Sequence, residues 1–143
     1  MERVTVETTI LKDVKTVWKH FTDPKSIKEW AFATNEWEAP FATNDVCVGG
    51  RFLTRMQAKD GSAGFDFTGT YTEVKEFKTI TYMMDRGEGN PSRRDCTIQF
   101  IDQKNGTSKI VEEFCPESEN NIEMQKAGWQ AILNNFKKFV EGQ

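Results

Sequence analysis

Apolar and polar residues alternate near the beginning of the chain. Every second position from Val4 to Ile10 falls on one face of a period-two pattern, with polar residues on the other. Successive side chains of a strand point to opposite faces of a sheet. The alternation therefore predicts a half-buried first strand.

Two short helices are predicted after this strand. Asp13 is suited to cap the first, in which apolar residues recur at helical spacing. Asp23 and Pro24 indicate the start of the second, with Asp at the N-cap and Pro at the first helical position. Ile27 and Trp30 supply its buried side.

The middle of the chain predicts a meander of antiparallel strands separated by turn residues. The pair Asn105-Gly106 predicts a type I′ hairpin. A glycine-containing connection at 85–93 predicts a mobile loop. The predicted strands are Asn35–Glu38, Arg51–Lys59, Gly64–Lys75, Lys78–Met84, Arg94–Asp102 and Thr107–Phe114.

The last segment, Ser118 to Gly142, predicts one helix of about six turns. Ser118 or Asn121 could cap it, and a broad apolar stripe runs from Trp129 to Val140. The resulting order is strand, two short helices, about six strands and a long helix, which is an α+β layout. We expect residues 1–143 to form one domain.

Composition and charge argue against several functional classes. The net charge of −3 and the pI near 5.3 disfavour a nucleic-acid partner. Three scattered cysteines without a CxxC pair disfavour a metal site and favour a reduced, cytoplasmic location. The sequence contains no run of about 18 apolar residues, so no membrane span is predicted. The segment 87–89 lacks the third glycine of a dinucleotide fingerprint, so no cofactor is predicted.

A set of short motifs occurs in one order along nearly the whole chain: Trp18, Phe21-Thr22-Asp23-Pro24, Trp30, Val48-Gly49-Gly50-Arg51-Phe52, Gly69-Thr70-Tyr71, Glu73-Val74 and Gly128-Trp129. With these motifs the chain resembles the START-like (SRPBCC, birch-pollen-allergen-like) superfamily. More narrowly, it resembles homologues of the activator of the heat-shock-protein-90 ATPase. The resemblance implies a helix-grip fold, in which a curved antiparallel sheet of six to seven strands wraps around the C-terminal helix. Eukaryotic activators add a chaperone-binding domain that these residues do not resemble, so the family name is not taken as an activity.

A sheet curled around one helix leaves space for a cavity. Alternation turns Phe52, Thr54 and Met56 inward. On the fifth predicted strand the register is open by one residue, so the inward set is either the alternate residues that include Tyr82 or those that include Thr81. Gly69 is expected to leave room in the wall, and Gly128 to allow close approach of helix and sheet. Ordinary core packing is the alternative for each aromatic residue. The predicted lining residues are Trp30, Trp37, Phe52, Met56, Phe65, Phe67, Tyr71, Tyr82, Trp129 and Phe136.

Three functions are compatible with such a cavity. The first is binding of a small apolar or amphipathic molecule by a monomer or weak dimer. The second is an enzyme of the cyclase, dehydratase or isomerase type, which requires an inward acid among Asp66, Asp85, Glu112 and Glu113. The third is a co-chaperone-like interaction domain. No catalytic residue is assigned, enzyme activity stays open and less favoured than binding, and His20 is expected to be a charged, solvent-facing residue at a helix C-terminus.

Overall fold

The computed structural model describes residues 3–85, 94–117 and 121–143. These ranges contain seven strands and three helices. The predicted loop at 85–93, apart from Asp85, and the predicted cap Ser118 lie outside the described residues. The elements in chain order are β1 (Val4–Ile10), α1 (Val14–Thr22), α2 (Pro24–Trp30), β2 (Trp37–Asn44), β3 (Arg51–Ala58), β4 (Gly64–Lys75), β5 (Thr79–Met84), β6 (Arg94–Asp102), β7 (Ser108–Phe114) and α3 (Ile122–Glu141).

The seven strands form one curled antiparallel sheet in the order β1-β7-β6-β5-β4-β3-β2. Every neighbouring pair except β1–β7 is consecutive in sequence, so most of the sheet is a meander. The helices α1 and α2 connect the two edge strands, and α3 packs against β1 and both short helices. This is the helix-grip, α+β architecture that the sequence predicts.

The register of the sheet resolves the two alternatives for β5. Thr54 pairs with Phe67, and Tyr71 pairs with Tyr82. Ile80, Tyr82 and Met84 are therefore the buried set, and the residues between them are half-buried on the other face. A register shift in β4 between Tyr71 and Glu73 adds a bulge, a feature that bends a strand and increases its twist.

The strand β2 begins later and is longer than predicted. It spans Trp37–Asn44, whereas the prediction was Asn35–Glu38. Pro40 is unfavourable inside a strand, because proline has no N–H to donate to a neighbouring strand. The structure accommodates Pro40 because β2 is an edge strand and its register against β3 shifts between Glu38 and Phe41.

The hairpin between β6 and β7 forms, but its predicted type I′ turn is wrong. Asp102 pairs with Ser108, and the backbone between them has positive φ at Lys104 and Gly106 but not at Asn105. A type I′ turn requires positive φ at two successive central residues. The side chains of Asp102 and Asn105 instead each accept a hydrogen bond from the backbone N–H two residues later, which widens the loop.

The helix starts follow the predicted residues. The Asp23 carboxylate accepts a hydrogen bond from the backbone N–H of Lys25 at 3.0 Å, and Pro24 occupies the first turn of α2. Asn121 caps α3 by accepting from the backbone N–H of Met124 at 3.2 Å. Asp13 stands at the N-cap of α1, although its carboxylate accepts from the Thr16 hydroxyl rather than from the backbone. In the described part of the chain, none of the helices combines the length and apolar character needed to cross a bilayer.

Candidate ligand cavity

A cavity of about 270 Å³ lies between the concave face of the sheet and the helices α2 and α3. Its volume is just below the ~300–1,000 Å³ typical of small-molecule sites. Eight of the predicted lining residues border it: Trp30, Phe52, Met56, Phe65, Phe67, Tyr71, Tyr82 and Trp129.

Aromatic rings from three neighbouring strands form the sheet side of the cavity. The Phe52 ring centroid lies 5.3 Å from that of Phe67, 5.4 Å from Tyr71 and 4.9 Å from Tyr82. From α3, Trp129 approaches Phe67 edge-on at 6.3 Å. Rings at 4.5–7 Å in tilted or edge-to-face arrangements stabilise one another beyond their burial, so this wall is fixed before any ligand enters.

Two predicted lining residues, Trp37 and Phe136, lie away from the cavity. Trp37 stands at the start of the edge strand β2, with its ring 6.2 Å from that of Phe65. Phe136 is fully buried between Phe21 and Trp30, at centroid distances of 5.2 and 4.8 Å. Phe136 therefore packs between the helices, although its place on the apolar stripe of α3 had predicted that it lines the cavity.

The two glycines also differ from expectation. The Phe52 ring, and not open space, occupies the position where Gly69 lacks a side chain. A Cβ at position 128 would meet no described atom within 4 Å, so Gly128 does not mediate a close approach of α3 and the sheet.

The indole Nε1 of Trp30 donates a hydrogen bond to the backbone oxygen of His20 at 3.0 Å, so this N–H already has a partner within the protein.

Glu112 is the buried acid of the cavity wall. It lies on β7 directly opposite Ile98 of β6 and Val6 of β1, and its nearest neighbours on the same face of β7 are Ile110 and Phe114. The residue is 8% exposed, and no hydrogen bond or ion pair to its carboxyl occurs among the described residues. Burial raises the pKa of Glu112 from 4.5 to about 8, because the charged form loses its hydration.

The titratable neighbours of Glu112 are neutral near pH 7. Burial raises the pKa of the Tyr82 hydroxyl well above its ordinary value, and the nearby Glu112 raises it further. Burial likewise raises the pKa of the Cys96 thiol. The cavity therefore combines an apolar wall with one carboxyl group that is protonated at neutral pH.

The other three candidate acids do not enter the cavity. Asp66 is exposed near Arg55, with 3.5 Å between carboxylate and guanidinium. The carboxylate of Asp85 pairs with Arg51 and accepts from Thr68, and these contacts lower its pKa. Glu113 points to the opposite face of β7 from Glu112 and pairs with Arg3.

Polar side chains contribute to the cavity wall at two places. At one of them the Tyr71 hydroxyl donates to the Asn44 side-chain oxygen, and the Asn44 amide donates to the Thr22 backbone oxygen at 2.8 Å. At the other the Arg94 guanidinium lies 3.3 Å from the Glu117 carboxylate. These partners already satisfy the polar atoms that they contact.

His20 differs from the expected charged surface residue. Its Nδ1 lies 2.9 Å from the Ser26 hydroxyl, and its ring contacts Phe139 edge-on at 5.5 Å. Partial burial lowers its pKa from 6.5, with a further contribution from Lys19. The imidazole is therefore held in its neutral form at pH 7.

The described residues contain no group of three or more His, Cys, Asp or Glu side chains arranged to hold a metal ion. Cys47 is exposed, whereas Cys96 and Cys115 are buried.

Several lining residues were not on the predicted list. The sequence could have predicted that Glu112 lines the cavity, because Ile110 and Phe114 flank it at the spacing that places residues on one face of a strand. Asn44 had none, because β2 was predicted to end before it. The remaining additions include residues of α2 and α3, such as Ile27 and Ile132, whose side chains serve both the core and the cavity.

Comparison with known proteins identifies relatives across the whole chain. An AHSA1-like protein of Aeromonas hydrophila is 39% identical, with a TM-score of 0.87 over 99% of this chain and 93% of that chain. A protein of Cytophaga hutchinsonii is 44% identical, with a TM-score of 0.79 over 98% and 92% of the two chains. A Nitrosomonas europaea protein at 18% identity shares the fold, with a TM-score of 0.80 over 98% and 94%.

No curated protein matches the sequence significantly. A family model does match it, over residues 13–141, and this range includes α1, α2, β2 to β7 and α3. The chain therefore belongs to the family described as "Activator of Hsp90 ATPase homolog 1-like protein", within the START-like superfamily.

Proposed function

We propose that this protein binds one small, predominantly apolar ligand in the cavity between the sheet and α3. The observation that carries the proposal is a cavity of about 270 Å³ walled by a preformed cluster of aromatic rings. Burying apolar ligand surface there contributes about 25 cal/mol per Å². The rings contact one another, so ligand entry requires little reorganisation of this wall.

The size of the cavity limits the ligand. A volume of about 270 Å³ favours a molecule of one or two fused rings, or a short branched chain, over a long acyl chain. Met56 and Phe65 supply adaptable and partly exposed apolar surface at one part of the wall.

A titration with the uncharged two-ring fluorescent probe 6-propionyl-2-(dimethylamino)naphthalene tests the proposal. The variant Met56→Trp enlarges a lining side chain, whereas Leu53→Trp places the same ring on the other face of β3. Binding at one probe per protein is expected for the wild type and Leu53→Trp, with at least a tenfold loss in Met56→Trp. Equal binding by both variants, or no saturable binding by the wild type, contradicts the proposal.

An acid–base enzyme is the second candidate, and Glu112 is the observation that favours it. A buried carboxyl with a pKa of about 8 could transfer a proton near neutral pH. Such an enzyme would convert its ligand, so Glu112→Gln should abolish turnover while leaving binding of the same molecule measurable. Retention of turnover in that variant excludes Glu112 as the proton-transfer group.

The co-chaperone-like alternative stays a prediction drawn from the family name. Among the described residues, six large apolar side chains are more than 40% exposed, and they come from six different segments: Leu11, Phe41, Val48, Phe65, Ile101 and Met124. This distribution does not favour a protein-interaction role over ligand binding.

A further inference from the structure

Glu112 occupies a position that the sheet otherwise gives to apolar residues. Its neighbours across the strands are Val6 and Ile98, and those along β7 on the same face are Ile110 and Phe114, all at most 5% exposed. A carboxyl group there destabilises the fold relative to an apolar side chain, because burial without a partner carries a desolvation penalty. Among the described residues no hydrogen bond or ion pair offsets this penalty, and the carboxyl oxygens are accessible from the cavity.

The carboxyl group of Glu112 faces the cavity, and the other ionisable groups of the wall have partners or are neutral. Arg94 is paired with Glu117, and the Tyr71 hydroxyl is bonded to Asn44. Tyr82 is buried as a neutral phenol. The cavity thus presents a ligand with one unpaired acid and a set of aromatic faces.

Resting on the binding function proposed above, we infer that the ligand carries a basic nitrogen on its apolar body, and that Glu112 is the counter-ion of its protonated amine. Inside a low-dielectric site, the attraction between a carboxylate and an ammonium group offsets the loss of hydration of both charges. Either charge alone would lack this compensation. The aromatic rings of the wall add cation–π attraction, an interaction that neutral ligands do not make.

The inference predicts how binding depends on pH. The titratable groups nearest Glu112 are Tyr82 on β5 and Cys96 on β6. The charged groups that line the same cavity are Arg94 on β6 and Glu117, which pair with each other, whereas β1 contributes Val6 and α3 contributes uncharged side chains. Burial keeps Tyr82 and Cys96 neutral. In the empty protein Glu112 has a pKa of about 8, so below that pH an alkylammonium ligand displaces its proton on binding.

About one proton is therefore released for each amine bound at pH 6 and pH 7, and about half a proton at pH 8, where half of the empty protein is already deprotonated at Glu112. Amine affinity rises by up to tenfold per pH unit across this interval. It levels off above pH 8, until the amine itself loses its proton near pH ~10. An uncharged ligand of the same shape displaces no proton and shows no such rise.

Isothermal titration calorimetry with 2-(naphthalen-2-yl)ethylamine and 2-(naphthalen-2-yl)ethanol tests this inference on the full chain. Measurements at pH 6, 7 and 8 in two buffers of different ionisation enthalpy count the protons released. Glu112→Gln removes the acid, and Glu113→Gln is the matched control because it changes the adjacent acid on the opposite face of β7. Thermal unfolding of each variant verifies folding.

We expect amine affinity to rise at least tenfold from pH 6 to pH 8 in the wild type and Glu113→Gln, and to be flat and weaker in Glu112→Gln. If both compounds bind equally, or if Glu112→Gln keeps the amine's pH dependence, the inference is overturned while the binding function stands. If neither compound binds at any pH, the proposed function fails together with it.

Discussion

The ring of Phe52 lies across Gly69, its partner on the neighbouring strand β4. A Cβ at position 69 would stand 2.7 Å from two ring atoms of Phe52 and 2.6 Å from the backbone oxygen of Met83. Both distances are shorter than any normal Cβ contact. The absent side chain therefore allows the Phe52 ring to lie close to the sheet and to contact Phe67, Tyr71 and Tyr82.

Replacing Gly69 with alanine should destabilise the protein. The added methyl group must displace both the Phe52 ring and the backbone of β5 at Met83, and overpacking of this kind costs about 1–3 kcal/mol. The free energy of unfolding from urea titration measures the effect. The displaced ring should also narrow the cavity and weaken probe binding.

Gly128→Ala is the matched control, and its effect should have the opposite sign. A methyl group at this helical position meets no described atom, and replacing glycine with alanine inside a helix stabilises by about 0.5–1 kcal/mol. Equal urea midpoints for the wild type and Gly69→Ala, beside a stabilised Gly128→Ala, would refute the packing role assigned to Gly69.

Glu112 should make the protein less stable as pH rises. Its pKa is about 8 in the folded protein and near 4.5 when exposed, so between these values the folded state holds the additional proton. Stability contributed by that proton is complete below about pH 4.5 and is lost as pH rises through 8.

Glu112→Leu removes this dependence. We expect the variant to exceed the wild type in unfolding free energy by a few kcal/mol at pH 8.5, and by clearly less at pH 5.5. Urea titrations at the two pH values provide the comparison. An advantage of the same size at both pH values would contradict the buried, neutral state assigned to Glu112.

His20 should titrate below the ordinary histidine pKa of 6.5, because its partial burial disfavours the imidazolium. The chain has one histidine, so its ring signals in a ¹H–¹⁵N NMR titration need no assignment. Since the folded pKa is depressed, the neutral imidazole contributes stability above pH 6.5 that declines as pH falls through the folded value. A midpoint at or above 6.5 would show that the ring is charged and solvated.

Alternation along the strands was sufficient to predict most of the sheet side of the cavity. Phe52, Met56, Phe67 and Tyr71 follow one another at even spacing on β3 and β4, and the observed pairing places them on one face. The sequence alone left the register of β5 open by one residue. It was settled by the pairing of Tyr82 with Tyr71 across the β4–β5 hairpin, which the alternation within either strand does not determine.

Residues on edges and helices were predicted less well. Trp37 was assigned to the cavity from its position after α2, but the edge strand β2 directs it toward Phe65. Phe136 belongs to the apolar stripe of α3, and helical periodicity does not distinguish a side chain that packs on α1 and α2 from one that borders a cavity. The sequence left open which of Glu112 and Glu113 points inward, although the spacing of Ile110 and Phe114 could have identified Glu112; its lack of a partner required the structure.

Native mass spectrometry after incubation with a cell extract tests the central claim most directly. The wild type, Met56→Trp and Leu53→Trp are incubated in parallel and washed, and the mass of each intact protein with any bound molecule is measured. Ligand binding in the cavity predicts one defined added mass on the wild type and on Leu53→Trp, and its absence from Met56→Trp. A wild type that carries no small molecule, or the same added mass on Met56→Trp, would contradict the assignment of the cavity as the binding site.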